Sequence, residues 1–204
     1  GLIAGLDTVL YSVTNMCGAA VASYVVTIVP LPDAGVITGP SVVCEASTMV
    51  LTDAVLGGIW GMVDTNASIS ASGVVSGDYP GLDTVTYSYT NMCGTDVVTF
   101  PVTVNPLPHA GTITGATQVC VGATATVADT AAGGTWSIIG SMITVVSTSG
   151  VMTGVSIGVD TVMYTVFNSC GTDVVKRPVT VNDVPVVSPV YGPNEVCVGS
   201  TIIM

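Results

Sequence analysis

Residues 81–105 read GLDTVTYSYTNMCGTDVVTFPVTVN, and the segment occurs twice more, as GLDTVLYSVTNMCGAAVASYVVTIV from Gly5 and GVDTVMYTVFNSCGTDVVKRPVTVN from Gly158. The copies start 76 and 77 residues apart. Between them runs a second recurring stretch: AGVITGPSVVC from Ala34, AGTITGATQVC from Ala110, and the weaker SPVYGPNEVC from Ser188. A fixed period with near-identical punctuation marks one small domain strung in tandem. Inside the segment Val85, Tyr87, Tyr89, Asn91 and Cys93 alternate with Thr84, Thr86, Ser88 and Thr90. That period of two predicts a strand whose first face packs inward on Trp60 and whose second, hydroxyl-bearing face meets solvent or sugar.

The period divides the rest of the chain. Pro30-Leu31-Pro32 and Pro106-Leu107-Pro108 are short stiff joints, because each proline fixes φ and disfavours helix before it. Asp183-Val184-Pro185 is a third, divergent joint. Residues 1–29 are therefore the closing part of one repeat, 33–105 and 109–182 are complete repeats, and 186–204 open another. Beginning and stopping mid-repeat, the sequence reads as an excerpt from a longer protein. In the repeat from Asp33, strands are predicted near 35–43, 47–53, 58–63, 67–71, 73–76, 83–92 and 97–104, since Val, Thr, Ile and Tyr dominate and no window has helical spacing. Gly57-Gly58 and Gly133-Gly134 mark the turn before each Trp strand; Gly94-Thr95 and Gly171-Thr172 predict a tight hairpin between the last two strands. The expected class is all-β, with each repeat a β-sandwich.

Composition removes several functions. Two basic residues, Lys176 and Arg177, stand against 13 acidic ones, for a formal charge of −11. Such a chain has nothing to neutralise phosphates, so no nucleic-acid partner is expected, and an anionic membrane surface would repel it. The uncharged run from Thr8 to Pro32 alternates polar and apolar residues and ends in prolines, which argues for strands rather than membrane insertion. Enzymatic readings lack parts. His109 is the sole histidine, lies in a joint, and is replaced by Asp33 one repeat earlier. There is no GxSxG elbow and no base to serve one. No CxxC supports zinc, and Asp33, Asp96 and Asp173 near the joints form no DxD cluster for calcium. No catalysis and no cofactor are expected.

Cys44, Trp60 and Cys93, with Tyr87 on the strand of the second cysteine, resemble an immunoglobulin-type sandwich. The phrases GVVSGDYPGLDTVTYSYTN and GVMTGVSIGVDTVMYTVFN are similar to bacterial Ig-like (Big/PKD-like) repeats. The whole unit resembles repeats in giant cell-surface adhesin or fibre proteins of Bacteroidota. The resemblance implies tandem Ig-like domains in a linear array at the cell surface, a structural or adhesive role, and neighbouring repeats or further copies in a fibre as partners.

It also gives the six cysteines a meaning, since regular, even usage in a surface protein implies disulfides. Cys44–Cys93 and Cys120–Cys170 would each close a loop of about 50 residues and stabilise by about 4 kcal/mol. Alternatively, opposite poles of successive Ig-like domains meet in a head-to-tail array; Cys44 would then bridge Cys170 across the joint, leaving Cys17, Cys93, Cys120 and Cys197 to repeats outside this stretch. Both pairings stay open. Covalent glycans have candidate acceptors: Asn66 begins an Asn-Ala-Ser sequon, and Thr8, Thr84, Thr161 and Thr130 follow Asp in triplets resembling the Bacteroidota O-glycosylation acceptor. Against this stands the simpler reading that Asp and Thr shape the turn into the Tyr strand. Trp60, Trp136, Tyr11, Tyr87 and Tyr164 are assigned to the core rather than to a sugar platform. The expected function is that of a structural segment of an extracellular, glycosylated fibre or adhesin. The alternative is a glycan- or protein-binding module whose binding face lies in the most divergent segments, Met62–Ser72 and Ile138–Ser149.

Overall fold

The structure, a computed structural model, describes residues 3–145 and 147–203, and all regular structure in it is strand. The chain divides into two compact units, Gly1–Leu107 and Pro108–Met204.

In the first unit β1 (Gly5–Asn15) and β2 (Gly18–Ile28) form an antiparallel hairpin. The complete repeat follows with β3 (Ile37–Thr38), β4 (Val42–Cys44), β5 (Thr48–Val50), β6 (Thr52–Asp53), β7 (Ile59–Met62), β8 (Ala67–Ile69), β9 (Val74–Gly77), β10 (Gly81–Asn91) and β11 (Gly94–Asn105). One sheet has the order β4-β11-β10-β7; the opposing layer is β5-β9-β8, with β3-β6 beside it. The second unit repeats the plan with β12 (Ile113–Gly115), β13 (Gln118–Cys120), β14 (Thr124–Asp129), β15 (Thr135–Ile138), β16 (Ile143–Val145), β17 (Val151–Gly154), β18 (Gly158–Asn168) and β19 (Gly171–Asn182). Its sheets are β13-β19-β18-β15 and β12-β14-β17-β16. Each repeat is thus a β-sandwich, as the pattern of short, evenly punctuated strands requires.

The core lies between the layers. In the first unit Ile37, Met49, Leu51 and Val75 from one layer meet Val43, Val85, Tyr87, Val102 and Val104 from the other. The second core is its counterpart: Ile113, Val127, Ile143 and Met152 against Val119, Trp136, Val162, Tyr164, Val179 and Val181. Alternation along β10 is as read, with Asp83, Val85 and Tyr87 buried and Leu82 exposed. Beyond Tyr87 the inward face runs out: Tyr89 is half-buried and Cys93 exposed.

Three expectations are corrected. The predicted strand 35–43 is two strands in different sheets: β3 pairs antiparallel with β6, and β4 pairs parallel with β11. The crossing occurs at Gly39, where a Cβ would stand 2.8 Å from the Val50 carbonyl oxygen and φ is 143°. Gly115 occupies the equivalent place, 2.5 Å from the Thr126 oxygen at φ 93°. Only glycine combines that approach with that backbone. The hairpin loop is Met92-Cys93, because Asn91 pairs with Gly94, so the turn lies two residues before the predicted Gly94-Thr95. Tyr11 is not core: it is 70% exposed, since β1 pairs with β2 alone, without the strands that cover Tyr87 and Tyr164. Residues 186–203 contain no strand, and the Ser200 N–H bond to the Cys197 carbonyl repeats the turn seen at Ser47 and Cys44.

Candidate functional site

Three recurring devices hold each sandwich, and together they define what its surface offers. The first is aromatic. Trp60 on β7 lies opposite Tyr87 on β10 in the register, and their rings sit 4.6 Å apart at 50°. Tyr87 Oη donates to the Val55 carbonyl at 2.5 Å and accepts from the Gly58 N–H at 2.9 Å. A Cβ on Gly58 would lie 2.4 Å from the ring, which is why a Gly-Gly pair precedes the Trp strand. Trp136 and Tyr164 reproduce the pair at 4.6 Å and 47°, with Tyr164 Oη on Ala131 and Gly134. Tyr87, Trp136 and Tyr164 are buried in their cores, whereas Trp60 packs, partly buried, against the first.

The second device is a buried carboxylate that sequence reasoning had placed at a turn. Asp83, 2% exposed, accepts from the N–H groups of Asp64 and Thr84 through Oδ1 and of Ala67 through Oδ2. Asp160, 3% exposed, accepts from Gly140 and Thr161 through Oδ1 and from Met142 and Ile143 through Oδ2. Burial pushes the Asp160 carboxyl up, but these four backbone donors outweigh it and hold the group below its ordinary value. The aspartates of the segments at Gly81 and Gly158 therefore clamp the loop leaving the Trp strand in each complete repeat. The signal was present in the sequence, as an Asp at a fixed place before Thr-Val-x-Tyr in all three copies.

The third device ties each joint to its repeat. Asp96 Oδ2 accepts from the Ala34 N–H at 2.8 Å, and Asp173 Oδ2 from the Ala110 N–H at 2.8 Å. The Ala110 and Val174 N–H groups hold the Asp173 carboxyl below its ordinary value, burial opposing and His109, 3.8 Å away, assisting. In the first unit Asn91 Nδ2 also donates to the Pro30 carbonyl, and Cys93 Sγ lies 3.7 Å from the Val29 carbonyl. Asp33 caps its own turn at Gly35. Among the described residues no group of three or more His, Cys, Asp or Glu is placed to hold a metal ion.

The cysteines fall into two states. Cys44 and Cys170 are disulfide-bonded, while Cys17, Cys93, Cys120 and Cys197 are free and exposed. The pairings Cys44–Cys93 and Cys120–Cys170 are therefore not formed, and the register explains why. Cys44 pairs with Asn105 at one end of β11, whereas Cys93 precedes Gly94 at the other. The 12 residues of β11 hold those ends about 35 Å apart, against the ~7 Å limit on Cα atoms in a cystine. Cys120 pairs with Asn182 at the far end of β19 from Cys170 in the same way.

The glycosylation candidates differ in access. Thr8 and Thr130 are exposed; Thr84 and Thr161 are half-buried within central strands. The Asn66 side-chain nitrogen is engaged with the Leu82 carbonyl at 2.8 Å.

No protein-family profile matches the chain, and no curated protein does. Solved structures to which the chain is similar include a three-Ig-domain fragment of titin, at 14% identity over 89% of this chain and 75% of that one, with a TM-score of 0.43. Surface layer protein SbsC, domains 1–6, is 19% identical over 94% of this chain and 37% of its own, TM-score 0.34. A SusE-like surface-located polysaccharide-binding protein from the Bacteroides thetaiotaomicron heparin utilisation locus is 15% identical over 72% and 34%, TM-score 0.33. The chain spans about a third of the length of the latter two.

Proposed function

We propose that this chain is a structural segment of an extracellular, cell-surface fibre or large adhesin, in which Ig-like repeats are stapled covalently to one another. The observation that carries this reading is the state of the cysteines. Cys44 and Cys170 are bonded, the within-repeat partners are out of reach, and we assign the bond between these two, one from each complete repeat. The pair is 126 residues apart. At that spacing the partners of Cys93 and Cys120 fall outside residues 1–204, which accounts for thiols that are free here and equivalent in sequence to the bonded ones. The reading extends the same bond to every successive pair of repeats.

Such a ladder suits load. Force entering at Cys44 leaves at Cys170 through the disulfide, so most of both sandwiches is spared. Proline joints limit bending, and two basic residues in 204 leave trypsin-like proteases little to cut. Catalysis has no place in this role. Covalent glycans fit it, with exposed Thr8 and Thr130 the favoured acceptors. Pulling single chains from their ends tests the proposal. The oxidised chain should extend about 440 Å less than the reduced one, at ~3.5 Å for each shielded residue. Equal extension in the two states would overturn it.

A further inference from the structure

We propose that copies of this chain join head to tail through two disulfides, Cys120 of one copy to Cys17 of the next and Cys197 to Cys93. The inference rests on the bond assigned between Cys44 and Cys170 and names the partner of the remaining thiols. The six cysteines are of two kinds. Cys17, Cys93 and Cys170 sit at hairpin tips, where an Asn side chain two residues earlier accepts the cysteine N–H at 2.7–2.8 Å. Cys44, Cys120 and Cys197 each open a turn in which the cysteine carbonyl accepts the N–H three residues on at 3.0 Å. One cysteine of each kind is bonded, and the other two of each kind are free and exposed. The free thiols are thus presented by the same local backbone as the bonded ones.

Position decides which thiol meets which. A tip cysteine lies where the chain enters its repeat: Cys93 Sγ is 3.7 Å from the carbonyl of Val29, just before the first proline joint. A turn cysteine lies where the chain leaves: Cys120 pairs with Asn182, the residue before the Asp183-Val184-Pro185 joint. The bond from Cys44 to Cys170 therefore runs from the exit of one repeat to the entry of the following one. By that rule the exit thiols Cys120 and Cys197 and the entry thiols Cys17 and Cys93 find mates only in another copy. The exit pair stands 77 residues apart and the entry pair 76, so one register forms both bonds. A bare strand edge points to the same partner. β11 and β19 each take a parallel strand, β4 and β13, from the start of their own repeats. Among the described residues β2 pairs with β1 alone, and Glu195-Val196-Cys197, the sequence equivalent of β4 and β13, pairs with nothing. Laid parallel on β2 in the register of the other two, these residues set Cys197 opposite Val29, and so beside the Cys93 thiol.

Each bond forms by exchange with a small-molecule disulfide such as oxidised glutathione. Two cysteine thiols give up two electrons and two protons, and the oxidant leaves as two thiols. The full chain is incubated with oxidised glutathione and read on non-reducing gels and by peptide mapping. Untreated, it should run as a monomer. Treated, it should give a ladder of multimers that collapses on reduction, with Cys17–Cys120 and Cys93–Cys197 as the intermolecular cross-links. Two double variants sharpen the test: Cys17→Ser with Cys93→Ser keeps only exit thiols, and Cys120→Ser with Cys197→Ser only entry thiols. Each alone should stay monomeric, and an equal mixture should stop at a heterodimer. Once its first bond has formed the second is intramolecular, so singly bonded dimers should be scarce. A chain that stays monomeric under oxidation, homodimers of either variant, or bonds between two tip or two turn cysteines would overturn the inference. The Cys44–Cys170 peptide in the same map keeps the two readings apart. Its presence without the intermolecular pairs refutes this inference alone; its absence refutes the scaffold as well.

Discussion

At the scale of single residues, stability is concentrated in two buried groups that repeat from one sandwich to the next. Asp160 receives four backbone N–H donors inside the protein, and removing it strands all of them. Asp160→Ala should cost about 3 kcal/mol, read by chemical denaturation of the second repeat through Trp136 fluorescence. The folded carboxyl titrates below its ordinary value, so its contribution is complete above that value and is lost as pH falls through the lower, folded one. The second repeat should therefore hold its melting temperature from neutrality down to about pH 4 and lose it below, and Asp160→Asn should flatten that acid slope. Tyr87→Phe removes one bond donated and one accepted without touching the ring packing; a loss of about 1–2 kcal/mol is expected in equilibrium unfolding of the first repeat.

At the scale of elements, the crossing strand is the feature least legible in the sequence. Residues 35–43 read as one continuous strand because their composition is that of a strand throughout. The break at Gly39 is set by how close that backbone must come to Val50 and Leu51, a contact from another part of the chain. The parallel pairing of β4 with β11 is hidden for the same reason. The long hairpins, by contrast, are written locally, in unbroken alternation and in an Asn whose side chain accepts the N–H two residues on, as at Asn91 and Cys93. Gly115→Val should disrupt the β12–β13 crossing and destabilise the second repeat by about 2–4 kcal/mol. Gly133→Ala, where nothing lies within 4 Å of a new Cβ, should cost about 1 kcal/mol through its φ of 80° alone. Paired melting curves of the two variants separate a close-contact glycine from a purely conformational one.

At the scale of the whole molecule, the period of the sequence decides almost everything, because a repeated sandwich needs only one set of rules. The core roles of Trp60, Trp136, Tyr87 and Tyr164 followed from alternation and spacing. Tyr11 did not follow, since its burial depends on strands that residues 1–29 do not supply. The cysteine pairing was open for a physical reason: sequence places Cys44 and Cys93 in one repeat but says nothing of which end of β11 each occupies. Taken together, the cysteines predict that alkylation of the unreduced, denatured chain modifies four thiols, at Cys17, Cys93, Cys120 and Cys197. Intact mass would read that number together with any glycan on Thr8 or Thr130.

The covalent staple is tested most directly by mapping non-reduced peptides after cleavage at acidic and aromatic residues. One cross-linked pair should be recovered, joining the peptide with Cys44 to the peptide with Cys170, and it should vanish on reduction. Recovery instead of Cys44 joined to Cys93, or of Cys120 joined to Cys170, would contradict it.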